Sequence, residues 1–367
     1  MIMRFGIALA TYNGAKFLRE QLESLLRQSR PPDHVVISDD SSTDETLGIA
    51  EWFRRAAPYR VDIVGNQRRL GPMGNFLRAV DACEADFIAF CDQDDIWMPT
   101  KLEICERHLV ANKSFAAIHS VENFGLMTSG RHGEKTMHSG TIDGLQIPPA
   151  RVIWPGMAMV VRNDVLHVAS RLKALWEPRF DSIAKLRPIS FLHHWSHTHD
   201  LYALTAARLL GNITFVQDVL ARHREHENNY SMGGSAWCQD SRVAESWGHA
   251  QNVGYRILSA FCKDFAEMLG EDECAEVLPE GRCRLARQHY ERWSHIWHCR
   301  YRLHEDGTPL LARIAELGEL HRMGAYRGHF NGGLGKRSLI KDVLTAFLLA
   351  ALPASRNFLS PNDNSHG

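Results

Sequence analysis

The segment Phe87-Ile-Ala-Phe-Cys-Asp92-Gln-Asp94-Asp95-Ile-Trp97 sets an apolar, strand-like run directly against three carboxylates. Strands are poor in aspartate, so the cluster is expected just past a strand end. Carboxylates this close repel one another, and a divalent cation among them relieves the repulsion. Few protein ligands, all hard oxygens, suit Mg²⁺ or Mn²⁺, with water and phosphate oxygens completing the shell. A polar turn with solvated side chains is the competing reading.

Upstream, strand and helix patterns alternate. Phe5–Ala10 reads as a strand, and Phe17, Leu18, Leu22, Leu25 and Leu26 mark one face of a helix. Val35–Ile37 is a second strand, and Ser42-Thr-Asp-Glu45 has the form of a capping box opening a second helix. Val61–Val64 is a third strand. Gly71 and Gly74 punctuate a loop before a helix over Asn75–Cys83, and another helix runs from Pro99. This alternation predicts an α/β protein with a mostly parallel central sheet and flanking helices. Thr11-Tyr12-Asn13, Asp39-Asp40 and Asp92/Asp94 then all follow strands and share the sheet's carboxyl edge, where open α/β sheets bind ligands. Neither GxGxxG nor GxxxxGK[ST] occurs, which weighs against a dinucleotide fold or a P-loop ATPase.

Residues 121–150 read as a long loop, Trp154–Val161 returns to strand, and Leu201–Leu210 is helical. Residues 214–220 form another strand before Arg222-His-Arg-Glu-His226-Glu-Asn-Asn229. The organisation expected is a domain over 1–235, a helical C-terminal extension over 236–360 and a disordered tail over 361–367. The chain of 367 residues has a formal net charge of −1, which gives no bulk electrostatic case for nucleic acid. Its eight cysteines lack CxxC spacing and fit a reduced, cytoplasmic setting. No apolar run is long enough to span a bilayer, and no secretory leader is apparent.

Ala10-Thr-Tyr-Asn-Gly14, Ser38-Asp-Asp-Ser-Ser-Thr-Asp44 and Cys91-Asp-Gln-Asp-Asp-Ile-Trp-Met-Pro99 resemble the motifs of family-2 glycosyltransferases with the GT-A nucleotide-sugar fold. Pro155-Gly156, His199-Asp200 and His223–Asn229 match later family elements. The likeness is greatest to the rhamnosyltransferase-like branch of bacterial polysaccharide assembly. It implies an inverting transfer from a nucleoside-diphosphate sugar, such as dTDP-L-rhamnose, to a saccharide or lipid-linked acceptor. By this resemblance Ala10, Thr11, Tyr12, Asn13, Asp40 and Asn75 line the nucleotide site, with Asp40 taking the pyrimidine imide N–H. Asp92 and Asp94 become the DxD pair holding Mg²⁺ or Mn²⁺, and Asp200 occupies the catalytic-base position. The family more often shows Glu-Asp where this chain has His199-Asp200.

Each residue has a plainer alternative. Asp39 and Asp40 suit a turn or a cap before the Ser42 helix, and Asp200 suits the start of the Leu201 helix. Asp95 fits a helix start or a supporting carboxylate. His193, His194, His197 and His199 lack zinc-site spacing and fit a polar loop at the acceptor mouth. Arg224 and His226 either reach the diphosphate or metal or belong to a solvated basic loop. A sugar-nucleotidyltransferase also uses Asp-bound Mg²⁺ on an α/β sheet, though Thr11–Ala15 lacks the Gly-rich basic loop usual there. A non-catalytic nucleotide- or carbohydrate-binding module is the remaining class.

Near the C-terminus, Ser338 is placed to cap a helix whose Leu339, Ile340, Val343, Leu344, Phe347, Leu348 and Ala351 form an apolar stripe. Lys336, Arg337 and Lys341 lie at its start. Either the stripe packs on the protein's own helices, or residues 336–352 make a peripheral contact with anionic membrane.

Overall fold

A computed structural model describes residues 3–125, 139–149, 154–184, 199–227, 229, 249–328 and 333–351. His193, His194, His197 and the 361–367 tail lie outside the described residues. The N-terminal elements run β1 (Phe5–Thr11), α1 (Ala15–Leu26), β2 (His34–Asp39), α2 (Thr46–Ala56), β3 (Arg60–Gly65), α3 (Gly71–Asp81), β4 (Phe87–Asp92), β5 (Ile96–Trp97) and α4 (Lys101–Asn112). They continue with β6 (Ala116–Gly125), β7 (Gly140–Asp143), β8 (Met159–Arg162), α5 (Asn163–Ala184), α6 (His199–Leu210) and β9 (Asn212–Glu225). The C-terminal extension holds α7 (His249–Met268), the short α8 (Asp272–Ala275), α9 (Glu280–His304), α10 (Leu310–Arg322) and α11 (Lys336–Ala351).

The strands form one sheet in the order β3-β2-β1-β4-β8-β6-β9-β5, with β7 paired to β9. β3, β2, β1 and β4 are parallel, and β6 and β9 share their direction. β8, β5 and β7 run against them. The mostly parallel α/β class with flanking helices and a helical C-terminal region is therefore what the chain adopts.

Alternation along the strands sorts the core into two layers. Phe5, Ile7 and Leu9 of β1 and Phe87, Ala89 and Cys91 of β4 pack with α1, α2 and α4. Ala8, Ile88 and Phe90 face the other way, onto α3, α5 and α6. That second layer continues into Phe261, Phe265, Trp293 and Trp297 of α7 and α9, so the extension shares the core of the sheet's back face. Arg282 of α9 fastens it there, donating to the Asp143 carboxylate and to the Arg208 and Leu209 carbonyls.

Several local expectations change. No capping box forms at Ser42: α2 starts at Thr46. Ser42 instead donates to Asp39 at 2.6 Å, while Asp44 accepts from the Thr46 N–H. α3 starts at Gly71, with Pro72 in its first turn, so Gly71 and Gly74 belong to the helix, not to a loop. Residues 121–125 extend β6 and Gly140–Asp143 forms β7, so the stretch read as one long loop carries strand at both ends; residues 126–138 and 150 are outside the described set. β9 runs through Glu225, which places Arg222, His223 and Arg224 on a strand.

α11 is turned against the expectation of a stripe packed inward. Its buried side chains include Ser338, Asp342 and Thr345, whereas Ile340, Leu344 and Phe347 are exposed. Leu339 and Val343 are half-buried. The Leu348 and Ala351 side chains lie outside the described residues. Asp342 decides the orientation: its carboxylate accepts from Arg300 at 2.7 Å, His304 at 3.0 Å and Tyr326 at 3.0 Å. Ser338 does not cap; inside the first turn, its hydroxyl donates back to Leu334 O.

Candidate active site

Register brings the functional strand ends together. Thr11 pairs with Asp39, and Ala10 lies between Ser38 and Asp92. The Thr11 hydroxyl donates to Asp39 at 2.8 Å, and Asp39 also accepts the Ser42 N–H. Asp39 is thus spent on the turn, as its plainer alternative held. Asn13, at φ 45°, accepts from the Thr43 N–H and latches the β1 turn to the β2 turn.

Asp40 is buried, and its carboxylate accepts from Leu70 N at 2.7 Å, Gly71 N at 2.9 Å and Asn66 Nδ2 at 3.1 Å. It therefore caps α3 from a distant strand, satisfying amides at the helix start where a negative charge is favoured. A carboxylate offers about four acceptor sites, so one remains. Asn75 donates to Thr11 O at 3.0 Å and accepts from Asn66, tying α3 to the end of β1. Tyr12 is half-exposed, with the Arg69 guanidinium 3.7 Å from its ring centre.

Two residues not foreseen from sequence complete this rim. Gln93, the middle residue of Asp-Gln-Asp, bonds both the N–H and the carbonyl of Tyr12. It comes so near Gly14 that a Cβ there would stand 2.2 Å from its Oε1. Arg69 is the other. The only sequence sign of Gln93 was its place between two aspartates, and Arg69 had none.

The antiparallel pairing of Ile96 with Arg222 and Trp97 with Ala221 carries the end of β9 over the acidic cluster. Buried Asp95 accepts from His223 Nδ1 at 3.0 Å and from Arg224 N at 3.1 Å, and its Oδ2 has no partner among the described residues. It supports β9 and does not start a helix. Arg224 donates to Asp94 O, pairs with Glu20, and lies against the rings of Phe17 and Phe124. His226 Nε2 stands 2.9 Å from Asp94 Oδ2, and its ring packs on Phe17. Arg224 and His226 thus pack against the acidic segment and do not form a solvated loop.

The electrostatics follow from crowding. Burial raises the Asp92 carboxyl well above its usual range, and the charges of Asp95, Asp94 and Asp200 add to it. Burial and Asp95 likewise raise Asp94, against the pull of His226. Burial disfavours a charged His223, but Asp95, Asp92 and Asp94 outweigh it and lift the imidazole to about 9. Excess negative charge on the crowded hard oxygens of Asp92, Asp94 and Asp95 fits a small divalent cation that would relieve their repulsion. Among the described residues no three His, Cys, Asp or Glu side chains converge as a ligand cage. A cation here would have Asp92 and Asp94 as protein ligands, which fits Mg²⁺ or Mn²⁺ sharing a phosphate-bearing ligand.

Asp200 stands in the first turn of α6, half-exposed, its Oδ1 accepting the Leu201 N–H at 2.8 Å. The preceding His199 is half-buried, with its ring stacked on Phe76 at 3.8 Å and tilted on Phe90 at 4.8 Å. Burial lowers its pKa, so the ring is neutral at pH 7. Gly156 permits this: a Cβ there would meet His199 Nε2 at 2.4 Å. The adjoining turn is held by Lys101, whose buried ammonium donates to Met157 O at 2.6 Å over the Trp97 ring. His199 is therefore a wedge between Phe76, Phe90 and Gly156 next to Asp200, not a residue of a polar loop.

The rim around Tyr12 and the acidic cluster share the carboxyl edge of the sheet, and the Asp200 carboxylate lies within electrostatic reach of Asp92. The family model described as "Glycosyl transferase family 2" matches residues 7–167, a little under half of the chain, and that segment is similar to the family. A dTDP-rhamnosyl transferase of Shigella flexneri is 40% identical over 110 residues, covering 29% of this chain and 38% of that protein. The chain thus aligns with well under half the length of that relative. An uncharacterized glycosyltransferase of Nostoc is 22% identical over 280 residues, covering 73% and 77% of the two chains. Among solved structures, Staphylococcus aureus TarS 1–349 in complex with UDP aligns with a TM-score of 0.48 at 16% identity, covering 81% of this chain and 91% of that one. No helix among the described residues is long and apolar enough to cross a membrane.

Proposed function

We propose that this chain is an inverting, divalent-metal-dependent glycosyltransferase. Its donor is a nucleoside-diphosphate sugar, with dTDP-L-rhamnose the first to test. Its acceptor is a saccharide or a lipid-linked saccharide of surface polysaccharide assembly, met on the cytoplasmic side. The observation that carries the reading is the meeting of Asp94 with His226 and Arg224 at the sheet edge, beside an Asp92 within reach of the charge of Asp200. The 40% identity to a dTDP-rhamnosyl transferase supports the donor.

Ala10, Thr11, Tyr12 and Asn13 form the floor and side of the nucleotide site. Asp40 has one acceptor position left for the imide N–H of a pyrimidine, and Asn75 keeps the floor in place. Asp92 and Asp94 would hold Mg²⁺ or Mn²⁺, which when bound neutralises the charge growing on the leaving diphosphate. Arg224 presents a guanidinium fork of the kind suited to phosphate oxygens. Asp200 takes the acceptor hydroxyl's proton as that oxygen attacks the anomeric carbon from the face opposite the leaving group. Such proton transfer contributes ~10²–10⁴ in rate. The attacking oxygen forms the new glycosidic bond as the bond to the diphosphate breaks, so no nucleophilic side chain is required.

The test is incubation with a panel of nucleotide sugars and Mn²⁺, reading the phosphorus product. Nucleoside diphosphate release supports the transferase. Pyrophosphate released in a parallel incubation with a nucleoside triphosphate and a sugar 1-phosphate would point to a nucleotidyltransferase, and binding without turnover of any donor to a binding module.

A further inference from the structure

The exposed face of α11 is built inside out. Its exposed described side chains are Lys336, Arg337, Ile340, Leu344 and Phe347, all basic or large and apolar. Ordinary surface helices turn such a stripe inward. Here Asp342 occupies the interior instead, neutralised by Arg300 and hydrogen-bonded by His304 and Tyr326. The helix's one acid is thereby withdrawn from the surface.

α10 packs against α11 and repeats the pattern. Leu311 is 81% exposed, and Leu310 and Ile314 are exposed beside it. The other exposed positions of α10 are Ala315, Gly318, His321 and Arg322, so none is acidic. Of the ten exposed large hydrophobic side chains among the described residues, six lie on these two helices. Lys336 and Arg337 stand in the first turn of α11, where a cation opposes the helix dipole. Helix stability therefore does not account for them.

We infer that the outer faces of α10 and α11 dock on an anionic lipid surface, with Ile340, Leu344, Phe347 and Leu311 in the interface and Lys336 and Arg337 among the headgroups. Charge complementarity selects this occupant. The exposed charges on the two helices are Lys336, Arg337 and Arg322, with Glu316 and Glu319 of α10 half-buried and Glu319 paired to Arg322. The apolar side chains are thus edged mainly by positive charge and match a bilayer whose surface is negative. No helix among the described residues is long and apolar enough to cross, so the contact is peripheral. The inference stands on these helices alone and does not depend on the sugar-transfer reading.

The test is co-sedimentation of the full chain with vesicles of phosphatidylglycerol and phosphatidylcholine, against phosphatidylcholine alone. The expected result is at least tenfold tighter binding to the anionic vesicles, weakened at least tenfold in both Ile340→Ser/Phe347→Ser and Lys336→Glu/Arg337→Glu. These side chains are exposed, and an unchanged circular dichroism spectrum checks the fold. Independently, Phe347→Cys carrying an NBD label shifts its emission to the blue on anionic vesicles. Absence of binding, equal binding by wild type and Ile340→Ser/Phe347→Ser, or an unshifted label would overturn the inference. So would self-association abolished by Ile340→Ser/Phe347→Ser without vesicle binding, which would assign the face to a second copy.

Discussion

His226 Nε2 lies 2.9 Å from Asp94 Oδ2, joining the end of β9 to the acidic segment after β4 across 132 residues of chain. The contact fixes one proposed metal-binding carboxylate before any ligand arrives. Partners of this kind tune a metal site by ~10–100-fold when removed. His226→Ala is expected to lower transfer by that factor, chiefly through weaker Mn²⁺ activation, with partial recovery at high Mn²⁺. Rate measured against metal concentration checks this; an unchanged activation curve would detach His226 from the site.

Asp200→Asn keeps the size of the side chain and its bond to the Leu201 N–H while removing the base. Donor affinity should be unchanged and kcat should fall ~10²–10⁴-fold. Wild-type kcat in this variant would place the proton acceptor elsewhere.

Gly156→Ala would push a methyl group into the ring of His199. Overpacking of this kind costs about 1–3 kcal/mol, and the ring that moves is joined to Asp200. The variant should melt several degrees lower and lose activity beyond what its folded fraction explains. Thermal melting and specific activity measured together would show it; a stable variant with full activity would refute the wedge.

Burial lowers the pKa of His289 to about 3, and burial likewise lowers those of His34, His119, His199 and His304. Unfolded histidine binds protons near pH 6.5, so below that value the unfolded chain takes up protons that the folded chain refuses. This contribution to stability is complete above pH 6.5 and declines toward acid, by about 1.4 kcal/mol per pH unit for each histidine held neutral. Asp92 and Asp94 act oppositely, since their raised values make protonation relieve repulsion, but five histidines outnumber them. Between pH 6.5 and pH 5 the melting temperature should fall, and His289→Gln should shrink the drop. A melting temperature flat over this range would contradict the assignment.

The sheet was legible because β1, β2 and β4 are apolar runs ended by polar residues, a pattern local to each segment. The same punctuation located Asp40, Asp92 and Asp94. What escaped was set by distant partners. α3 begins at Gly71 because Asp40, 31 residues earlier, accepts its first amides. Ser42 forms no capping box because Asp39 and the Asn13 N–H engage its hydroxyl. Arg222 and Arg224 looked like loop residues from their charge, yet Glu122 and the Asp94 carbonyl pair them on a strand. Gln93 escaped because its role is to hold the Tyr12 backbone, a contact that leaves no local pattern. For α11 the period was clear and the direction was not: apolar spacing cannot reveal that Arg300 and His304 draw Asp342 inward.

The central claim is that Asp92 and Asp94 bind a divalent cation together with a nucleoside diphosphate. Calorimetric titration of dTDP and UDP into the protein, with Mn²⁺ and with EDTA, tests it most directly. The account predicts at least tenfold tighter binding of one diphosphate with Mn²⁺, abolished in Asp94→Asn while the melting profile stays cooperative. Equal affinity in EDTA and Mn²⁺, or an Asp94→Asn variant that keeps the metal effect, would contradict it.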